Sequence, residues 1–333
     1  MSSKVSLLVP IYGVEQYIER CARSLFEQTY PNLEFVFVND CTPDRSIEVL
    51  KKVMEDYSER KGAVRIVDHE KNKGIAAARN TGLDNVSGEF VVMVDSDDWL
   101  ELNAIELMVK RQKVSDVDLV LGNLIVHYQN EDSLLEERKY QSREKMVLQM
   151  MQRSWDHHVT GRLIRRSLFV DNGLRWNEGL DLAEDRYMMT LLAYHAKGYD
   201  TVDNVVYHYE RQNIGSITMN SNGEKTLRNN RQELGNVLLL EQFFKDKETV
   251  YQKECVKCVM KQLECNLRTT LVLFSKDEFY EVVSDIDGRS YNDWEIIGWK
   301  KTGIKGWLMH NYRCMRLNLL KERTVRFVKK MLK

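Results

Sequence analysis

The chain is poor in proline, with three in 333 residues, and it has no low-complexity linker and no internal repeat. With 43% hydrophobic and 30% charged residues, the composition excludes a disordered or fibrous chain. One large domain with an appendage, or two domains, remain. No run approaches the roughly 18 consecutive apolar residues of a membrane-spanning helix, so no such helix is expected. The start, MSSKVSLLVPIYG, lacks the apolar core and small-residue cleavage site of a secretory signal, because Pro10 and Tyr12 interrupt it. The chain therefore reads as cytosolic. No G-x-x-x-x-G-K-[ST] occurs, and no G-x-G-x-x-G follows a strand, which excludes a nucleotide held by a glycine-rich phosphate loop. The six cysteines are scattered. Cys255 and Cys258 form a C-x-x-C, but no second pair or histidine cluster follows at ligand spacing. With Cys265 they fall on or near one helical face and read as buried thiols, so no metal is assigned there.

What is present is a regular beat over the first hundred residues. VSLLVPIY, LEFVFVND, VRIVDH and EFVVMVDSDD read as strands, separated by helical patterns in EQYIERCARSLFEQ, SIEVLKKVMEDYSER and GIAAARNTGLDNV. Strand–helix alternation with short links predicts a mostly parallel sheet flanked by helices, an α/β fold. Ligands of such sheets lie beyond the carboxyl ends of the strands. Those ends carry Tyr12, Asp40, Asp68 and the group Asp95 to Asp98, which should line one crevice. From residue 101 the pattern loosens. NAIELMVKRQKV reads as a helix, DLVLGNLIVHY as a strand, and the stretch to about 145 as polar and unpatterned. REKMVLQMMQRS and RLIRRSLFVDNGL read as helices, as does DLAEDRYMMTLLAYHAKG, and TVDNVVYHYE as a strand. Beyond about 220 only helices are predicted, at about 224–246, 248–274, 276–285 and 305–332.

FVVMVDSDDWLE runs from a buried strand straight into three carboxylates. Asp97 and Asp98 could cap the following helix, but a hard divalent cation such as Mg²⁺ or Mn²⁺ also accounts for the cluster. Such an ion takes one or two carboxylates and completes its shell with substrate phosphate oxygens.

The stretch LLVPIYGVEQYIERCARSLFEQTYPNLEFVFVNDCTPDRS, followed by NKGIAAARNTGLDNVSGEFVVMVDSDDWLE, resembles the family 2 glycosyltransferases, nucleotide-sugar enzymes with the GT-A (Rossmann-like) fold. The resemblance is dense over residues 4–101 and weaker through GLDLAEDRYMMTLL and YHYERQNIGSIT to about 218. It implies a glycosyltransferase domain over 1–220, with a nucleotide-binding half (1–100) and an acceptor half (101–220). A helical C-terminal region, 221–333, follows. By position, Pro10, Tyr12 and Glu15 would shape the base and ribose pocket, and Asp40 would accept a hydrogen bond from the base. A carboxylate acceptor beside a stacking aromatic favours uracil, hence a UDP-sugar. Gly74 would let the backbone pass close to the ligand, and Arg79 would reach the nucleotide. DSDD matches the family's D-x-D signature. Asp95 would meet the ribose or the metal, Ser96 would belong to the nucleotide site, and Asp97 would coordinate the metal bridging the diphosphate, with Asp98 a third member. In LAEDRYMM the family's E-D pair falls on Glu184 and Asp185. Asp185 would be the base that deprotonates the acceptor hydroxyl, with Glu184 orienting it. Acids at a helix start also have a purely structural use. Asp181 is an acceptor contact or an N-cap. His208 is a metal or diphosphate ligand, or packs in a sheet between Tyr207 and Tyr209, and Arg211 is a diphosphate contact. Trp155, His157 and His158 occupy the place of the family's acceptor loop, with a different spelling.

Charge is uneven. Residues 300–333 hold eleven Lys or Arg and one acid, Glu322, a net +10 against −11 for the remainder, which sum to −1. Interleaved with apolar residues, the tail reads as a helix packed on the protein or lying on anionic lipid. Nucleic acid is not an expected partner, since the rest is acidic and carries no recognition motif. The expected function is a Mn²⁺- or Mg²⁺-dependent inverting transferase of a hexosyl or N-acetylhexosaminyl group. The acceptor is a glycan or lipid-linked hydroxyl in cell-surface polysaccharide synthesis at the inner face of the membrane. A nucleotidyltransferase, or a non-catalytic nucleotide-sugar-binding protein, is the alternative.

Overall fold

The structure is a computed structural model that describes residues 2–152, 157–213, 223–273, 276–287 and 289. The chain divides into two compact units, Met1–Asn220 and Ser221–Lys333.

The first unit opens with β1 (Val5–Ile11), α1 (Ile18–Phe26), β2 (Leu33–Asn39) and α2 (Ser46–Glu55). Next come β3 (Val64–Asp68), α3 (Ile75–Asn85) and β4 (Phe90–Met93). Every residue of β1 and β4 is buried, as their unbroken apolar runs require of strands covered on both faces. These four strands pair in the order β3-β2-β1-β4, all parallel, so their carboxyl ends meet at one edge. The α1 residues Ile18, Cys21, Ala22, Leu25 and Phe26 recur at helical spacing and are buried. Phe26 packs edge-on against Phe35 of β2 at 5.0 Å. Pro10 lacks an N–H, and β4 has already left β1 there: the last rung is Leu8 with Met93, followed by Val94 N–H to Leu8 O. The proline thus falls where no ladder bond is lost, and β4 is released into its acidic turn.

The chain continues through β5 (Trp99–Leu100), α4 (Ala104–Ser115), β6 (Leu119–His127), β7 (Asp132–Leu135) and α5 (Arg143–Met151). Then follow β8 (Leu163–Arg165), α6 (Ser167–Asp171), α7 (Glu184–His195) and β9 (Tyr199–Glu210). The sheet extends past β4 as β8-β6-β9-β5, with β7 on β6. β6 and β9 are parallel, while β4–β8, β6–β8, β5–β9 and β6–β7 are antiparallel. The expected α/β sheet flanked by helices is therefore present, with its uninterrupted parallel run in the first hundred residues.

Two segments differ from the sequence reading. The unpatterned stretch before 145 contains β7, and the helix expected from 162 begins only at Ser167 because Leu163–Arg165 form β8, wedged between β4 and β6. Three or four residues are too few to show a period, and β8 is held by partners more than forty residues away, while β7 is the short return strand of a hairpin with β6.

The second unit contains α8 (Gly223–Phe244), α9 (Thr249–Leu273) and α10 (Lys276–Asp287). Cys255 and Cys258 are buried on α9. Among the described residues no helix is long and apolar enough to cross a membrane. Trp155 and the basic tail lie outside the described residues.

Candidate active site

The turn after β4 is built from its own carboxylates. Asp98 is fully buried, and burial with the charges of Asp97 and Asp95 pushes its carboxyl well up. Its two oxygens accept from the Glu210 N–H (2.7 Å) and the Tyr207 hydroxyl (2.5 Å). The Tyr207 oxygen accepts in turn from the Asp95 N–H (3.1 Å). Asp98 is thus a brace tying the turn to β9, not an outward-facing third ligand. Ser96 is buried inside the turn.

Asp95 and Asp97 differ from it. Asp95 Oδ1 accepts from Arg79 Nη2 (3.1 Å) and Asp97 Oδ2 from Asn213 Nδ2 (2.8 Å), which leaves one oxygen of each outside these bonds. Burial, then the Asp95 charge, raises the Asp97 carboxyl to about 6. Burial also raises Asp95, against the pull of Arg79. Two hard oxygen donors that repel one another across a short turn fit a divalent cation bound through one or two carboxylates.

Arg79 is 2% exposed on α3. Its Nη1 donates to Glu184 Oε1 (2.8 Å) and Asp185 Oδ1 (2.6 Å), and its Nη2 to Asp95. One buried guanidinium therefore gathers the carboxylates of the D-x-D turn and of the E-D pair into one cluster. Such a cation must be compensated, and Asp95 and Asp185 compensate it, with Glu184 as a further acceptor. Burial first, then repulsion from Asp185, pushes Glu184 up to about 8, so it holds a proton at neutral pH. Asp185 Oδ2 accepts from the Val159 N–H (3.1 Å). Val159 precedes Thr160, which bridges to Met93 of β4. His157 lies close enough to Asp185 to feel its charge, and burial lowers its imidazole to about 4. His158 contacts Glu137 at 3.4 Å and Arg162 at 3.2 Å.

At the nucleotide end, Tyr12 stands at the lip of the crevice, 51% exposed. Asp40 does not face outward. Its buried carboxylate accepts from the Lys73 and Gly74 N–H groups (2.8 and 2.9 Å) and contacts His69 Nδ1 (2.7 Å), so it holds the loop after β3. A more open polar pair at these strand ends is half-buried Asn39 and exposed Asp68, joined at 2.8 Å. Asp68 was visible in the sequence as a strand end; Asn39 was hidden beside Asp40. Glu15 is likewise occupied, since Arg45 Nε and Nη2 (2.9 and 2.5 Å) hold its Oε1, and the Arg45 N–H its Oε2. Gly74 (φ +90°) admits a carboxylate of the chain itself, Asp181.

His208 is not brought to the acidic turn. Its Nε2 meets Glu101 Oε1 (2.8 Å), its Nδ1 meets His127 Nε2 (2.9 Å), and its ring stacks on Trp99 at 4.8 Å. Both ring nitrogens are taken in the sheet. Arg211 lies near the Tyr209 ring (5.9 Å).

The fold and its paired carboxylate sites define a class, and comparison with known proteins names it. Residues 6–173, just over half the chain, match the model of "Glycosyl transferase family 2". The chain belongs to that family. It is 41% identical over 123 residues to glycosyltransferase GlyA of Streptococcus pneumoniae serotype 4, covering 37% of this chain and 17% of GlyA. It is 31% identical over 221 residues to the uncharacterized glycosyltransferase EpsJ of Bacillus subtilis, covering 64% of this chain and 62% of EpsJ. It thus spans less than two thirds of the length of either relative. Among solved structures, Staphylococcus aureus TarS 1–349 in complex with UDP superposes with a TM-score of 0.65 at 19% identity, over 99% of this chain and 92% of that one. The Pyrobaculum calidifontis mannosyltransferase PcManGT, in complex with GDP-Man and Mn²⁺, superposes with a TM-score of 0.55 at 18% identity, over 96% and 86%. The shared fold is that of the GT-A glycosyltransferases.

Proposed function

We propose that this chain is a metal-dependent, inverting glycosyltransferase that moves a sugar from a nucleoside diphosphate, UDP for preference, to a hydroxyl of a glycan or lipid-linked acceptor. The observation that carries the reading is the convergence of Asp95, Glu184 and Asp185 on Arg79. It supports a base acting beside a bound cation, as a displacement on a sugar phosphate requires. Asp95 and Asp97 would hold Mn²⁺ or Mg²⁺, which when bound neutralises charge accumulating on a departing diphosphate. Asp185 takes the proton of the acceptor hydroxyl, which attacks the anomeric carbon from the face opposite the diphosphate. Glu184, protonated, keeps a second negative charge away from that carboxylate, and the Val159 N–H orients it. Tyr12, Asn39 and Asp68 form the candidate base pocket: an amide and a carboxylate beside an exposed ring suit the donor and acceptor edge of uracil. TarS bound to UDP and UDP-GlcNAc, and PcManGT bound to GDP-Man with Mn²⁺, support a nucleotide-sugar donor. GgaB, a minor teichoic acid biosynthesis protein of Bacillus subtilis, supports an acceptor in cell-surface polymer synthesis.

A thermal-shift panel of UDP, GDP and their sugars with and without Mn²⁺ tests donor and cation together, and UDP with Mn²⁺ should give the largest rise. Asp185→Asn should keep that rise while lowering kcat by about 10²- to 10⁴-fold. Unchanged turnover in the variant would move the base elsewhere.

A further inference from the structure

Asp181 is three residues before Glu184, yet it caps neither its own helix nor open solvent. α7 starts after Ala183 in the left-handed region (φ 58°) with no side-chain cap. The Asp181 carboxylate instead lies across the start of α3, where its Oδ1 accepts from the Ala76 N–H (3.0 Å). α3 has no side-chain cap of its own, because the preceding residue is Gly74. One of its first N–H groups, that of Ala76, is therefore satisfied by a residue 105 positions away, whose negative charge also suits the positive end of the helix dipole. Only glycine permits this seat: a side-chain carbon at position 74 would lie 2.6 Å from Asp181 Oδ1. On its other side Gly74 donates its N–H to Asp40 Oδ2 at the end of β2.

One continuous path results. It runs from the adjoining ends of β2 and β3, where Asn39 and Asp68 lie, through Asp40 and the Lys73–Gly74 backbone to Asp181, and then to Glu184 and Asp185. The rest of the loop lies along α3. Asn80 pairs with the Trp176 backbone in both directions (2.9 Å each), and Arg175 with Asp84 (2.7 Å). Those ties hold the loop at the middle and far end of α3, and Asp181 ties it at the nucleotide end.

We propose that Asp181 is a positioning residue, a latch through which an occupied nucleotide pocket fixes the loop that carries the Glu184–Asp185 pair. The inference rests on the donor reading above and adds a direction of coupling to it. Ordering the 69–74 loop around a nucleotide holds the Gly74–Ala76 seat, the seat holds Asp181, and Asp181 holds the base in register.

Amide hydrogen exchange across 172–185 tests the latch, read with and without UDP and Mn²⁺. In the unaltered protein the ligands should slow exchange there. Asp181→Ala should lose that slowing while still showing the thermal shift with UDP and Mn²⁺, and Asp181→Asn, whose Oδ1 still accepts, should retain it. In turnover, Asp181→Ala should lower kcat by about tenfold or more at nearly constant KM for donor, since misplacing a reacting group costs rate rather than donor affinity. Gly74→Ala attacks the contact from the other side and should reproduce Asp181→Ala, with the double variant no worse than Gly74→Ala alone. Should Asp181→Ala fail to fold, Gly74→Ala gives the same readout. Equal slowing in the unaltered protein and Asp181→Ala, or a rise in donor KM that accounts for the whole loss, overturns the latch and leaves the donor reading standing. No response of the unaltered protein to any nucleoside diphosphate overturns both.

Discussion

At the scale of single residues, the site is governed by one buried cation and the carboxylates it gathers. Glu184 shows the cost most directly, because burial and Asp185 raise its carboxyl to about 8, against 4.5 in a free chain. The folded state keeps a proton that the unfolded chain releases above about 4.5. The stabilising contribution of the protonated group is therefore complete below 4.5, declines as pH rises, and is gone above about 8. Its slope is at most about 1.4 kcal/mol per pH unit. Glu184→Gln, which cannot ionise, should remove this slope. Urea melts of both proteins at pH 5 to 8 should converge at the acid end, with the variant the more stable at pH 8. Parallel melts at every pH would mean that Glu184 is ionised in the fold. The carboxyl groups that gather on Arg79 were legible beforehand as candidates, since DSDD and LAEDR contain them. Sequence position could not tell which were aimed outward. Asp98 and Asp40 point inward because buried N–H and hydroxyl groups nearby need acceptors. Glu15 is taken by Arg45, thirty residues on, and His208 by His127 and Glu101, and no local pattern announces such partners.

At the scale of elements, β9 is what turns an acidic strand end into a rigid site. It lies parallel to β6, with register shifts around Asn123, and delivers Tyr207 and the Glu210 N–H to Asp98. Tyr207→Phe removes a hydroxyl that serves both Asp98 and the Asp95 N–H, leaving a buried acceptor and a buried donor unpaired. The expected loss is about 1–3 kcal/mol in folding stability, together with weaker Mn²⁺ retention in the presence of UDP as the turn loosens. Denaturant unfolding and Mn²⁺ titration of the variant check the two effects separately, and an unchanged midpoint would deny the brace. Strands of this kind divide by legibility. β1, β2 and β4 were readable because doubly covered strands are written as unbroken apolar runs. β7 and β8 were not, because strands of three or four residues are too short to show a period, and β8 is in addition held by partners distant in sequence. α7 was readable as a helix, but its start was not. The acid nearest to it, Asp181, caps α3.

At the scale of the whole molecule, the charge distribution is the largest feature that the site does not use. Eleven cations and one acid in residues 300–333 face a remainder of net −11. Were that tail merely a solubilising segment, the excess would have no preferred sign. Concentrated cationic charge next to Trp307, Leu308, Leu319, Leu320, Phe327 and Leu332 matches what an anionic lipid surface attracts, at about 1 kcal/mol per basic residue near the membrane. Contact of that kind would bring the crevice to an acceptor sugar carried on lipid, which a freely diffusing enzyme would meet far less often. The attraction is screened over about 10 Å at 0.1 M salt and about 3 Å at 1 M, so it must be salt-sensitive. Liposomes containing anionic lipid should retain the full chain at low salt and release most of it at 1 M, while neutral liposomes retain little. Deletion of 300–333 should abolish retention and leave the UDP and Mn²⁺ thermal shift in place. Retention that survives the deletion would assign membrane contact to another surface, and none at low salt would overturn the membrane reading of the tail.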